Sequence, residues 1–393
     1  MNRLRFLTAG ESHGRAMTVI LEGIPSGLNI SPDDINAELR RRQKGYGRGG
    51  RMEIEFDTVQ ILSGIRLGKT IGSPITLLIE NRDWQNWKDI MAVEERDIDI
   101  PMVSRPRPGH ADLSGAIKYD THDIRDILER SSARETASRV AAGAVAKRFL
   151  SGFGIRIMSY VVEIGGIRAQ IPNPTSQVHE ERLLRIFEKA ERSPVRCPDK
   201  GAENAMIKRI DDARARGDSI GGIFEVIALG VPIGLGSYTQ WDKRLNARLA
   251  HAVMGIQAIK GVEIGLGFEM SRRSGSEVMD EILYDNSRFY RRTNNAGGIE
   301  GGISNGMPII IRAGMKPIPT LRNPLSSVDI VTKKRFSATY ERSDVCAVPS
   351  ASIIAEAMTA LVIADALLEK FGGDSMKEVM RNYKGYLRQI ERF

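Results

Sequence analysis

The chain has 393 residues, 41% of them hydrophobic and 27% charged, which is globular composition with room for a large core. Its formal net charge of +8 favours acidic partners such as phosphorylated metabolites, nucleic acid or anionic lipid without choosing among them. Cys197 and Cys346 are its only cysteines, far apart and in no C-x-x-C arrangement, so neither a disulfide framework nor a cysteine zinc site is indicated and a reducing cytosol fits; no signal-like start and no run of about 18 apolar residues occur, so the chain reads as soluble.

Residues 4 to 9 lead into Gly10-Glu11-Ser12-His13-Gly14, followed by the apolar run Met17 to Leu21 and a stop at Gly23 and Pro25. That pattern predicts strand, turn, strand. It holds the imidazole of His13 between glycines, where a backbone can be approached closely. Ser31-Pro32-Asp33-Asp34 is a helix entry with Ser31 as N-cap and Pro32 in the first turn, and the helix should run to about Lys44. Between residues 40 and 51 lie five arginines and Lys44 with no acid among them, spaced by glycines. The segment Gly45 to Gly50 matches G-x-G-x-x-G, but a polar helix precedes it where the dinucleotide fingerprint needs a strand. A mobile basic flap over a phosphorylated ligand is the preferred reading, ahead of a nucleic-acid patch, because Tyr46 is the only aromatic residue available for base stacking.

From Glu53 to Glu80 alternation predicts strands, with turns at Ser63-Gly64 and Gly72-Ser73-Pro74. Arg105-Pro106-Arg107-Pro108-Gly109-His110-Ala111-Asp112 is a stiff basic loop displaying a second histidine, either for chemistry or as a turn residue bonded to Asp112. In Glu129-Arg130-Ser131-Ser132-Ala133-Arg134-Glu135-Thr136 the Ser132/Glu135 spacing predicts a capping box that opens an Ala-rich helix to about Leu150. Serines and arginines at a helix start make it a natural anion site. Further helices are expected over about 241–259 and 349–370, with a polar helical insertion at about 171–218. Helix–Gly–strand occurring twice hints at duplication. The glycines of residues 294–306 imply left-handed turns or close approach of a flat ligand. Lys316-Pro317-Ile318-Pro319-Thr320 is a fixed loop beside a cation, and Asp344 is a carboxylate amid arginines, a plausible proton acceptor.

Three long stretches together resemble the chorismate synthase family: Gly10 to Gly14 running through Pro25, Glu129 to Thr136 running through Gly143, and Arg342-Ser343-Asp344-Val345-Cys346 running through Glu356. Arg41 to Gly45, Arg107 to Asp112, Gly297-Gly298-Ile299 and Lys316 to Thr320 resemble further family blocks. The resemblance implies an α+β fold, a β-α-β sandwich with Ala-rich helices between antiparallel sheets. It would form one domain over residues 1–393, with pseudo-duplicated halves of about 1–165 and 219–371. It implies the 1,4-anti elimination of phosphate from 5-enolpyruvylshikimate 3-phosphate to chorismate, the last step of the shikimate pathway. Reduced FMN would be required without net redox change, with NADPH only an indirect reductant through an external flavin reductase. Carried over by position, His13 resembles the histidine near the reduced flavin, His110 the one assisting phosphate departure, and Asp344 the carboxylate helping to relay the ring proton through the flavin. FMN contacts would fall to Arg130, Ser131, Ser132, Gln257, Ala258, Gly301, Lys316, Pro317, Ile318, Pro319, Thr320 and Arg342. Ser12, Arg42, Arg48, Arg51 and Arg134 would face substrate or NADP. No metal is implied; nor is nucleic acid or a membrane as partner. A cytoplasmic homotetramer is expected.

Overall fold

The computed structural model describes residues 3–49, 56–172, 180–285, 288–339 and 344–393. Strands β1 (Arg5–Ala9), β2 (Ala16–Glu22), β3 (Val59–Ile61) and β4 (Ile75–Glu80) form an antiparallel sheet in the order β1-β2-β4-β3. Alternation decides which side is buried: Met17, Val19, Leu21, Ile75, Leu77 and Ile79 point inward, while Ile20 and Leu7 point out. A second antiparallel sheet contains β5 (Arg156–Ile164), β6 (Ile167–Arg168), β7 (Gly222–Leu229), β8 (Ile259–Ile264) and β9 (Ile309–Met315), in the order β8-β9-β7-β5-β6. β5 pairs with β7, so residues 156–164 and 222–229, on either side of the polar insertion, share one sheet.

Among the helices are α1 (Pro32–Gln43), α2 (Asp112–Tyr119), α3 (Arg125–Ser131), α4 (Thr136–Ser151), α5 (Glu180–Arg192), α6 (Lys200–Ala215), α7 (Leu245–Met254) and α8 (Val348–Phe371). α4 lies on the first sheet through β2 and β4, α8 lies on the second through β5 and β7, and the two helices pack on each other, so the Ala-rich pair is the filling of a β-α-β sandwich. They cross where Gly143 meets Ala357; a methyl on Gly143 would stand 2.3 Å from the Ala357 Cβ. α8 is also the one helix among the described residues long and apolar enough to cross a membrane, and it is buried between the sheets. α5 and α6 lie within the polar insertion expected from its composition.

One local expectation holds and two change. Ser31 caps α1 as read, its hydroxyl accepting from Asp34 N at 3.4 Å while Asp34 accepts from Ser31 N at 2.8 Å. The capping box at Ser132 is only half made: Ser132 Oγ accepts from Arg134 N at 3.3 Å, but Glu135 turns away to Thr8 and Arg139, and residues Ala133–Glu135 form a 3₁₀ turn before α4. The helix expected over 241–259 is shorter, ending at Met254, and strand β8 begins at Ile259 after Ala258 adopts φ +66°.

The basic segment after α1 is docked as far as residue 49. Tyr46 donates to Asp211, Val345 N donates to Gly47 O at 2.8 Å, and Gly49 N donates to Asp344 at 2.7 Å. Its arginines find acids remote in sequence. Arg41 meets Glu38, Glu191 and the fully buried Glu356, which also accepts from Lys147 and from Ser159 Oγ at 2.6 Å. Burial opposes ionisation of Glu356, yet the charges of Arg41, Lys147 and Arg196 hold its carboxyl well below the usual range. These contacts turn Arg41 and Arg42 inward and take them out of any surface array.

Candidate active site

The turn between β1 and β2 carries Ser12 and His13. Gly10 makes it possible: with φ +107°, any side chain there would meet the Ala16 carbonyl oxygen at 2.3 Å. The turn is seated on α3 by Glu129, which is buried. The Glu129 carboxylate accepts from His13 N at 2.6 Å and faces His13 Nδ1 at 2.8 Å, while Ser12 N donates to the Glu129 carbonyl at 3.0 Å. Ser132 Oγ donates to Ser12 Oγ at 3.1 Å. Ser131 Oγ instead donates back to Ile127 O within its own helix, and Arg130, exposed, donates to Gly10 O, Thr8 O and Thr8 Oγ1.

The second histidine has the same partner type. His110 Nδ1 contacts Asp112 Oδ1, and the completely buried Asp112 also accepts from Arg107 N at 2.9 Å and Arg107 Nε at 3.0 Å. Burial pushes the Asp112 carboxyl up, but hydrogen bonds from His110 and Arg107 outweigh it and hold the group at about 2. It is therefore an anion at neutral pH beside an imidazole. The turn-residue alternative for His110 and the chemical one thus share a geometry.

α2 and α3 form a helical hairpin, with Gly115 against Ile127 and Ala116, Ile124 and Leu128 in its core. The segment 316–320 docks on the His110 loop: Lys316 Nζ donates to Gly109 O at 3.0 Å and Arg107 donates to Thr320 Oγ1 at 2.9 Å. Burial and the like charge of Lys260 lower the proton affinity of Lys316. Lys316 N donates to Ala258 O at 2.9 Å, and Ser219 Oγ holds Ile318 O at 2.6 Å, with Pro317 and Pro319 stiffening the run between. Ile220 N donates to Val345 O at 2.9 Å, which ties the neighbourhood of Asp344 to the same loop. Asp344 itself faces Arg48 Nε at 3.2 Å.

Arg42 and Arg134, expected to face substrate, are buried on Asp57: Arg134 at 2.6 Å and Arg42 at 3.5 Å. Arg42 also donates to Thr136 Oγ1 and Ala133 O, both at 3.0 Å, and so fixes the turn that was expected to welcome an anion. Gly301 sits at the tip of a hairpin beside α7's first residue, where Leu245 N donates to Gly302 O at 2.9 Å. The close approaches in the Gly-rich stretch are made by the chain itself: a methyl on Gly297 would stand 2.3 Å from Gly265 N. Arg51 and Arg342 lie outside the described residues. Glu129, Arg107, Asp57 and Asn81 have no role assigned from the sequence; His110 and Asp112 are the legible pair, whereas His13 and Glu129 are 116 residues apart.

The chorismate synthase family model matches residues 4–368. The chain belongs to the chorismate synthase family. Chorismate synthase from Geobacter sulfurreducens is 59% identical over 399 residues, covering 99% of this chain and all of that one. The Aquifex aeolicus enzyme is 58% identical, with 99% of each chain covered. A crystal structure of chorismate synthase superposes with a TM-score of 0.81 at 48% identity, again covering 99% of both chains. The family therefore makes this chain an enzyme of chorismate biosynthesis, and the α+β sandwich is the family's fold.

Residues expected to hold a flavin can be tested on one atom. Gln257 donates through Nε2 to Glu135 at 3.3 Å, while its Oε1 is buried and has no hydrogen-bond donor among the described residues. A buried acceptor left open is costly unless an incoming N–H meets it. Together with the adjacent Lys316 loop, it fits a group carrying ring N–H donors and a phosphate.

Proposed function

We propose that the chain catalyses the 1,4-anti elimination of phosphate from 5-enolpyruvylshikimate 3-phosphate to give chorismate, as a carbon–oxygen lyase requiring reduced FMN. The observation carrying this is the pair of imidazole–carboxylate contacts, His13–Glu129 and His110–Asp112, in a member of this family. Bound FMN in its reduced form would supply transient electron density to the breaking C–O bond, leaving no net redox change. Gln257, Ala258, Lys316 to Thr320, Arg130, Ser131 and Ser132 would hold it, with Arg342 from outside the described residues.

His110 is the acid that meets the leaving phosphate. Asp112, anionic, keeps Nδ1 engaged, so the proton is delivered from Nε2, and Arg107 and Lys316 stabilise the charge that grows on the departing oxygens. His13, oriented by Glu129, serves the flavin side, and Asp344 is the acceptor for the ring proton. Arg48, Arg134, Arg42, Arg51 and Ser12 shape the substrate side. NADPH enters only through an external flavin reductase. A cytoplasmic homotetramer belongs to the same reading; the register partners Leu7 and Ile20, both exposed on the outer face of the first sheet, offer apolar surface to a second copy.

The test is an anaerobic assay with dithionite-reduced FMN and the enolpyruvyl phosphate. Equal amounts of phosphate and chorismate with no net flavin oxidation are expected. No phosphate release, or one flavin oxidised per turnover as in hydride transfer, would overturn the proposal.

A further inference from the structure

Trp87 covers one face of His13. The indole and imidazole centroids are 3.9 Å apart with planes 26° from parallel, and the indole Nε1–H donates to Asp83 Oδ2 at 3.0 Å, so the indole is itself held by a directional bond. The guanidinium of Arg125 lies over the same indole, 5.7 Å from its centroid, within cation–π reach. Arg125 and Glu129 are four residues apart on α3 and share a face of it. One face of one helix therefore presents a guanidinium to the indole and a carboxylate to the imidazole.

The contact of Nδ1 with Glu129 fixes one edge of the imidazole, and the stacked indole bears on its plane. We propose that Trp87 is a positioning residue for His13, fixing the plane of the imidazole while Glu129 fixes its Nδ1 edge, so that Nε2 addresses the reacting molecule in one orientation. The proposal rests on the elimination reading, in which His13 acts on the flavin side of the reaction. Loss of such alignment costs about 10²-fold in rate when a reacting group is displaced by an ångström.

The experiment uses the full chain with isotope-labelled histidine, the His13 signals being assigned by their absence in His13→Gln. In the wild type the His13 ring protons are expected upfield, displaced by the indole ring current. Trp87→Leu should abolish that displacement and lower kcat for phosphate release about 10²-fold with little change in KM, and Trp87→Phe should restore most of both. A wild-type His13 signal without upfield displacement overturns the proposal with no variant needed. So does a Trp87→Leu protein with normal kcat, one that loses kcat while the His13 signals stay in place, or a Trp87→Phe protein no better than Trp87→Leu. If the wild type releases no phosphate, the elimination reading falls, and the ring-current comparison still decides whether Trp87 orients His13.

Discussion

Gly143→Ala tests the architecture at its tightest point. The added methyl would stand 2.3 Å from Ala357 Cβ, 2.6 Å from its Cα and 3.0 Å from its carbonyl carbon. Carbon atoms rest about 3.5–4.0 Å apart, so α4 and α8 must part by roughly 1 Å or more. Neither helix can yield by changing a rotamer, because two of the three contacts are backbone. Each helix is also backed by a sheet, so parting them loosens packing elsewhere. Overpacking of this kind costs about 1–3 kcal/mol, and this contact belongs at the upper end. Replacing a helix-interior glycine returns about 1 kcal/mol. A net loss of about 2 kcal/mol is expected, read as a lower urea midpoint at unchanged slope. Ala357→Gly alone should cost about 1 kcal/mol through helix propensity. The exchange Gly143→Ala/Ala357→Gly removes the contact with Cβ but leaves those with the Cα and carbonyl carbon of residue 357, so it should remain less stable than the wild type. Gly143→Ala as stable as the wild type would refute the close crossing.

Three further outcomes follow from the site and the core. His110→Ala should slow turnover by about 10²-fold or more with its melting profile retained, as for loss of an acid–base group; near-normal turnover removes His110 from the reaction. Asp112→Asn should destabilise the protein by roughly 2 kcal/mol at neutral pH, the value of a carboxyl moved from its ordinary range to about 2. Because the folded-state value is depressed, that contribution is complete above the ordinary carboxylate range and is lost as pH falls through about 2. The gap between variant and wild-type urea midpoints should therefore narrow below about pH 4, and a constant gap would contradict the assignment. Glu356→Gln leaves Arg41, Lys147 and Arg196 around a neutral group and should cost about 3–5 kcal/mol in chemical unfolding, whereas an unchanged midpoint would show the cluster to be neutral to stability.

Much of the fold was legible because its signals are local. The Ser31 cap, the alternation in β2 and β4, and the alanines of α4 and α8 are each settled within a few residues by hydrogen bonding, pleat and side-chain size. The half-made box at Ser132 shows where local logic stops. Glu135 is within reach of the Ser132 N–H by spacing, but Thr8 and Arg139 offer hydrogen bonds that the spacing does not encode, and burial resolves the competition in their favour. Arg41 is the same case on a larger scale: read in isolation it belongs to a self-repelling run, yet its partners Glu191 and Glu356 are 150 and 315 residues away.

At the candidate site the same division holds, with a consequence for how its chemistry is assigned. His110 and Asp112 are two residues apart, so that pair could be read directly, while Glu129 and Trp87 reach His13 only through the fold. Cations that were easiest to notice, Arg42 and Arg134, lie buried on Asp57 and hold the Ser132 to Thr136 turn. Charge in this chain therefore does two kinds of work. Arginines paired with buried carboxylates make the scaffold stiff; Arg107, itself paired with the buried Asp112, also reaches the His110 imidazole, and Lys316 holds Gly109 next to it, so that on the elimination reading both would meet the negative charge of a leaving phosphate. A site arranged in this way has its polar groups fixed before substrate arrives, which is the condition under which electrostatic stabilisation contributes most to rate.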